Sequence, residues 1–138
     1  MENASRCLVD DGLFLLETIG NPVTRTYNDP WINKYIFPNS HLPSIAQMAK
    51  AAENKFIFED LQNFGTYYYP TLMSWDQRFE KAWSALTKKY PEKYDKRFYR
   101  MWKLYLMGSA GGFKSRDMQL WQIVFSKSTG LGIYESVR

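Results

Sequence analysis

The 138-residue chain holds one cysteine, Cys7, and one histidine, His41. A single thiol excludes an intrachain disulfide and fits a reducing compartment. With one His and one Cys, a zinc site would have to rest on carboxylates, which zinc does not ordinarily favour, so no metal is expected. CxxC, HExxH and GxSxG are absent, and no glycine-rich phosphate loop is found. The stretch "GSAGG" at 108–112 superficially suggests a nucleotide loop. It follows an amphipathic helix instead of joining a strand to a helix, so packing or bending explains it better. The longest apolar runs fall far short of the roughly 20 residues a membrane helix needs, and no signal peptide opens the chain. These absences point to a cytoplasmic protein.

What is present is apolar and aromatic. Hydrophobic residues make up 45% of the chain and aromatics 17%, with 9 Phe, 10 Tyr and 5 Trp, which excludes a disordered chain. So many rings imply either a ring-packed core or a greasy surface that meets lipid or protein. The length suits one domain with one core. The net charge of +4 hides an asymmetry: residues 1–75 carry 5 Lys/Arg against 8 Asp/Glu, and residues 76–138 carry 13 against 6. The basic half serves either solubility or attraction to a polyanion.

"DDGLFLLETI" opens on a turn signal and continues as a strand, whose run Leu13 to Leu16 predicts burial on both faces. The short segment before it is too small to supply a neighbouring strand and a helix. "DPWINKYIFPNSHLPS" (29–44) contains Pro30, Pro38 and Pro43, which stop long regular elements. The spacing of Ile32, Tyr35 and Ile36 allows one helical turn, and the segment is expected to pack as a flap. Ser44 caps a helix whose buried face carries Ile45, Met48, Ala49 and Ala52. "KFIFEDLQNFG" reads as a second strand. A helix from about Pro70 and a second through "KRFYRMWKLYLMGSAGGF" follow, with Gly111 and Gly112 ending or bending the latter. "MQLWQIVFSK" is a third strand, and the tail from Ser128 has little pattern. The order favours an α/β layer whose first strand lacks a neighbour, implying a larger assembly or a sheet completed by another copy.

Three sets of residues invite a chemical reading. Glu17 is an acid near the C-terminal end of the first strand, the end where ligands bind in open α/β sheets; it is either edge-exposed or functional. Tyr67, Tyr68 and Tyr69 follow the second strand and offer hydroxyls beside an apolar surface, for packing or for holding an anion or water. His41 reads as a surface or supporting residue. "KKYPEKYDKRFYRMWK" mixes cations and rings, as a solvated helix face, a membrane surface or a nucleic-acid binder does. No nucleic-acid recognition motif accompanies it, so no nucleic-acid partner is expected.

The stretches "GLFLLETIG", "DPWINKYIFPNSHLPS", "NFGTYYYPTLMSWDQRFEKAW" and "RFYRMWKLYLMGSAGGFKSRDMQLWQIVFSK" resemble consecutive parts of the cyclopropane-fatty-acyl-phospholipid synthase family, over about residues 8–127. The resemblance implies an α/β architecture: the C-terminal part of a Rossmann-like class I methyltransferase fold. It implies a three-stranded mixed sheet with helices, the last strand lying antiparallel between the other two, and no cofactor-binding half. It implies a reaction in which S-adenosylmethionine methylates a cis double bond of a phospholipid acyl chain, followed by proton loss and ring closure. S-adenosylmethionine is not expected to bind this portion well, so the portion alone is expected to be inactive. The alternative is a non-catalytic truncated domain that oligomerises or binds anionic lipid.

In that family a bicarbonate accepts the proton, held partly by a histidine, a backbone amide two residues on, and a tyrosine. By resemblance the amide is that of Ile19 and the hydroxyl that of Tyr68. Glu17 stands where the histidine is usual. A carboxylate repels an anion, so the bicarbonate site is placed in doubt, or Glu17 itself takes the proton. The same resemblance assigns Phe37, Leu42, Tyr69, Leu72, Trp75 and Phe79 to an acyl-chain wall. It adds two partners: an anionic membrane surface, bound peripherally at its inner face, and a second copy of the chain through the exposed sheet edge.

Overall fold

A computed structural model describes residues 1–127 and 134–136. It divides into two compact units. The first comprises residues 1–27 and 41–64 together with the chain from Gln119 onward; the second comprises Asn28–Ser40 and Gly65–Met118.

The first unit contains helix α1 (Glu2–Cys7), strand β1 (Leu13–Gly20), helix α3 (Ile45–Ala52), strand β2 (Phe56–Asn63) and strand β3 (Gln119–Lys127). The sheet order is β1-β3-β2, with β3 antiparallel to both neighbours. The last strand therefore lies between the other two, as the resemblance implied. The expected mixed sheet is antiparallel at both pairings, because the two strands that run in the same direction do not touch. Among the described residues β1 has a neighbour on one side only.

One face of the sheet carries the core. Phe125 and Ile123 are fully buried and Trp121 nearly so. The Phe125 ring meets Phe14, Phe56 and Phe58 with centroids 5.8, 5.5 and 4.6 Å away. Met48 and Ala52 on α3 close over this face. Complete burial of a Phe or Ile side chain stabilises by about 1.5–3 kcal/mol each. The predicted α3 is held at its start by a capping box, in which Ser44 and Gln47 each accept from the other's backbone N–H.

Two expectations need correction here. The run Leu13–Leu16 is not buried on both faces: Phe14 and Leu16 turn to the core, while Leu13 and Leu15 remain 48% and 58% exposed. The period of two in a strand puts adjacent apolar residues on opposite faces, whatever their hydropathy. The segment before β1 does supply a short helix, α1, and Met1, Ala4 and Leu8 pack against the core.

The second unit contains α2 (Pro30–Tyr35), α4 (Gly65–Lys89) and α5 (Lys96–Lys114). Asp29 caps α2, accepting from the amides of Trp31 and Ile32, with Pro30 in the first helical turn. Asp95 caps α5 by accepting from Phe98 N at 2.7 Å. α4 begins five residues before Pro70, which lies inside the helix. As the sixth helical residue it lies past the first turn, so the helix forgoes the bond that an N–H there would donate to the carbonyl four residues back. Gly111 and Gly112 do not end α5 either: it runs on to Lys114, and Arg116, at φ 66°, is in the left-handed region after the helix. Most of the patternless tail lies outside the described residues.

Candidate functional site

β1 places Glu17 and Ile19 two residues apart, hence on the same face of the sheet, opposite to the core. Glu17 is exposed and pairs with Gln122, whose Nε2 donates to its carboxylate at 2.6 Å. The carboxylate is thus solvated and hydrogen-bonded, which removes the penalty of burying it bare.

The backbone at Ile19 is turned outward. Phe64 N donates to Leu120 O at 2.7 Å, so the polar groups of Leu120 face β2. Leu120 is the β3 partner of Ile19, and in an antiparallel ladder such a residue pair alternates with the bonded ones. The Ile19 amide consequently faces the unpaired edge of β1. Leu42 belongs to this same unit, half-buried, with its carbonyl accepting from Asn21 Nδ2 at 3.3 Å. His41 is exposed, its Nε2 3.4 Å from the Gln47 side-chain nitrogen.

The other predicted residues belong to the helical unit. Tyr68 packs on Phe113 (4.8 Å) and edge-on to Trp75 (6.0 Å). Phe37, 51% exposed, sets its ring against Tyr105 at 6.0 Å. Burial holds the Tyr105 phenol above the usual tyrosine range, and the Tyr68 phenol adds to the effect, so Tyr105 stays protonated at neutral pH. The sequence offers no signal for Tyr105 and Phe113 beyond helical spacing with Trp102, which does not separate a wall from a core. Lys114 lies over the Tyr69 ring at 4.9 Å. Leu72 is 1% exposed and sits inside the unit. Phe79 is wedged among Trp83, Phe98, Tyr99 and Trp102 at 5.4–6.4 Å.

Beside Phe79 lies a charge network that periodicity did not reveal. Lys103 Nζ donates to both oxygens of Asp76 (2.7 and 2.8 Å) and lies 2.9 Å from Glu80, which also accepts from Tyr99 Oη at 2.6 Å. Asp76, then Glu80, hold the Lys103 ammonium above the usual lysine range. Tyr99, then Lys103, hold Glu80 below the usual carboxylate range.

These residues bear on the groups that the resemblance implied. An outward amide at Ile19 suits an anion, whereas the Glu17 carboxylate two residues away repels one. The donor set in the sheet unit therefore does not fit a bicarbonate as it stands. For S-adenosylmethionine the fit also fails: β1 ends in Gly20-Asn21-Pro22 rather than in a glycine-rich loop leading into a helix. Among the described residues no cluster of three metal-ligating side chains occurs, and no helix is long and apolar enough to cross a membrane.

The family model described as mycolic acid cyclopropane synthetase matches residues 1–123. The chain is 49% identical over 128 residues to the cyclopropane-fatty-acyl-phospholipid synthase of Escherichia coli K12, an alignment covering 93% of this chain and 32% of the relative. It superposes on the cyclopropane synthase MmaA2 of Mycobacterium tuberculosis with a TM-score of 0.77 at 23% identity, covering 90% of this chain and 47% of the other. On mycolic acid cyclopropane synthase CmaA1 complexed with SAH and CTAB the TM-score is 0.71 at 26% identity, covering 91% and 47%. The chain thus spans about a third of the length of the E. coli relative and about half of the solved synthases. On the extent of that match, the chain belongs to the mycolic acid cyclopropane synthetase family.

Proposed function

We propose that this chain supplies the C-terminal part of an S-adenosylmethionine-dependent methyltransferase that converts the cis double bond of a phospholipid acyl chain to a cyclopropane. The observation that carries this reading is the 49% identity to the E. coli phospholipid synthase over nearly the whole chain. In this role Tyr68 presents a hydroxyl at the reacting end and Ile19 an outward amide. Phe37 and Trp75 offer exposed apolar surface to the alkyl chain, which binds through buried area. Leu72 and Phe79 back that wall from inside the helical unit, which also holds Tyr69; Leu42, in the sheet unit, is a candidate lining residue by itself. Glu17 either takes the proton itself or leaves that task to a group elsewhere in the whole protein. Because the cofactor is gripped outside the matched third, the 138 residues alone are inactive.

The test is a chimera in which this chain replaces the matching third of the E. coli relative, incubated with methyl-labelled S-adenosylmethionine and unsaturated phospholipid vesicles. Label is expected in the lipid. A folded chimera that binds the cofactor and leaves the lipid unlabelled overturns the reading, and label transfer by the isolated chain overturns the claim that it is inactive alone.

A second reading is favoured by the open edge of β1, where Leu13 and Leu15 are both exposed. That edge accepts a strand from a second copy, making a non-catalytic homo-oligomer. Light scattering that finds only monomer at high concentration removes it.

A further inference from the structure

Three of the acids of the α4–α5 hairpin are engaged within it, and Glu92 at the tip is exposed. Asp76 and Glu80 face Lys103, and Asp95 caps α5. The cations at the tip are not so engaged. Lys88, Lys89, Lys93, Lys96, Arg97 and Arg100 are all exposed, and among the described residues none lies within ion-pair distance of a carboxylate. The nearest acid in sequence that is not engaged in one of these roles is Glu92. Lys89 and Lys93 both lie over the Tyr90 ring, 5.2 and 5.9 Å from its centroid, and Tyr90 is 37% exposed.

From this tip a ladder of rings runs inward. Tyr90, Tyr94, Phe98, Trp102, Tyr105 and Phe37 follow one another with centroids 6.2, 5.0, 6.1, 5.2 and 6.0 Å apart. Its inner end is the ring set that includes the candidate acyl-wall residue Phe37. Farther along the outward face of α5, Leu104 is 56% exposed.

Unneutralised cations around amphipathic rings suit an interface where phosphate lies beside hydrocarbon. Lys and Arg stems lie on apolar surface while their heads reach anions, and tyrosine bridges the two media. A duplex would engage the same charge, but nothing at the tip reads base edges, and the rings here stack on one another and on lysines instead of forming an open base platform.

We infer that the α4–α5 tip, Lys88 to Arg100, is a docking surface for the anionic headgroups of a phospholipid bilayer. This rests on the acyl-chain reading for its choice of lipid, and it specifies which surface of that enzyme meets the membrane. Each cation near an anionic surface strengthens binding about fivefold, and added salt weakens the attraction.

The experiment is co-sedimentation of the full chain with phosphatidylcholine vesicles, with and without phosphatidylglycerol. Binding is expected only when phosphatidylglycerol is present. The variant Lys88→Gln, Lys89→Gln, Lys93→Gln is expected to bind on the order of a hundredfold more weakly, whereas Arg6→Gln, Lys34→Gln, Lys50→Gln, with the same change in net charge, stays within a few fold of the parent. Should the first variant fail to fold by circular dichroism, Lys96→Gln, Arg97→Gln, Arg100→Gln takes its place with the same expectation. Equal losses in the tip and control variants, binding without anionic lipid, or tighter tip-dependent binding to duplex DNA overturns the inference. The chimera assay reports separately: labelled lipid without tip-dependent binding defeats only the docking surface, and tip-dependent binding with unlabelled lipid defeats only the acyl-chain reading.

Discussion

Gln122 on β3 donates its side-chain amide to the Glu17 carboxylate directly opposite on β1, at 2.6 Å. The pair is exposed, so water competes for both groups. Glu17→Ala is expected to cost less than about 1 kcal/mol of stability, the worth of one solvated cross-strand contact. Urea unfolding of parent and variant checks this. A loss well beyond that value would make Glu17 a structural anchor and weaken its candidacy for chemistry.

Gly20 closes β1 in a place with no room for a side chain. A Cβ there would run into the Trp121 ring and lie 2.6 Å from the Pro43 carbonyl oxygen. Backbone does not yield cheaply, so Gly20→Ala is expected to destabilise by about 1–3 kcal/mol. The midpoint of urea unfolding should fall accordingly; an unchanged midpoint would mean the loop at Pro43 moves away freely.

Lys103 faces two acids, and Asp76 is only 8% exposed. Lys103→Met leaves that carboxylate without its donor and is expected to cost about 2 kcal/mol at neutral pH, below the figure for a fully buried pair. The folded-state pKa of Lys103 is raised, so its contribution is complete below the unfolded lysine value of about 10.4 and is lost as pH rises through the folded value. Glu80 has the opposite sign: its contribution is present above the unfolded value of about 4.3 and is lost as pH falls through its lowered folded value. Denaturation of parent and variant across pH should show their difference shrinking in strong base. A difference that is constant into strong base would contradict the assignment.

Tyr68 separates packing from chemistry well. Tyr68→Phe keeps the ring on Phe113 and Trp75 and removes only the hydroxyl. In the chimera the variant is expected to lower label transfer by about a hundredfold, within the range for loss of a group that acts on a proton in the transition state, with an unchanged thermal midpoint. Activity equal to the parent would assign Tyr68 to packing alone.

Local features were legible in the sequence because their causes are local. Ser44 announced α3, the spacing of Ile32, Tyr35 and Ile36 allowed the turn of α2, and apolar spacing located α4, α5 and β3. Family-specific stretches such as "DPWINKYIFPN" carried the strand order, which no periodicity encodes. Readings failed where a local signal was ambiguous. Four apolar residues in a row cannot report that Leu13 and Leu15 face away from the core, and glycines at 111 and 112 look alike whether they end a helix or lie inside one.

The sequence alone determined the elements other than α1, the excess of positive charge in the second half and the family, since these depend on neighbours a few residues apart or on a long shared pattern. Only the tertiary structure decided, among the described residues, which edge of β1 stays open, that the Ile19 amide faces it, and that Lys103 gathers Asp76 and Glu80 while the cations of the α4–α5 tip meet no carboxylate. Those outcomes depend on residues brought together across 20 to more than 100 positions of chain, where strand register and helix packing, not sequence spacing, set which groups meet.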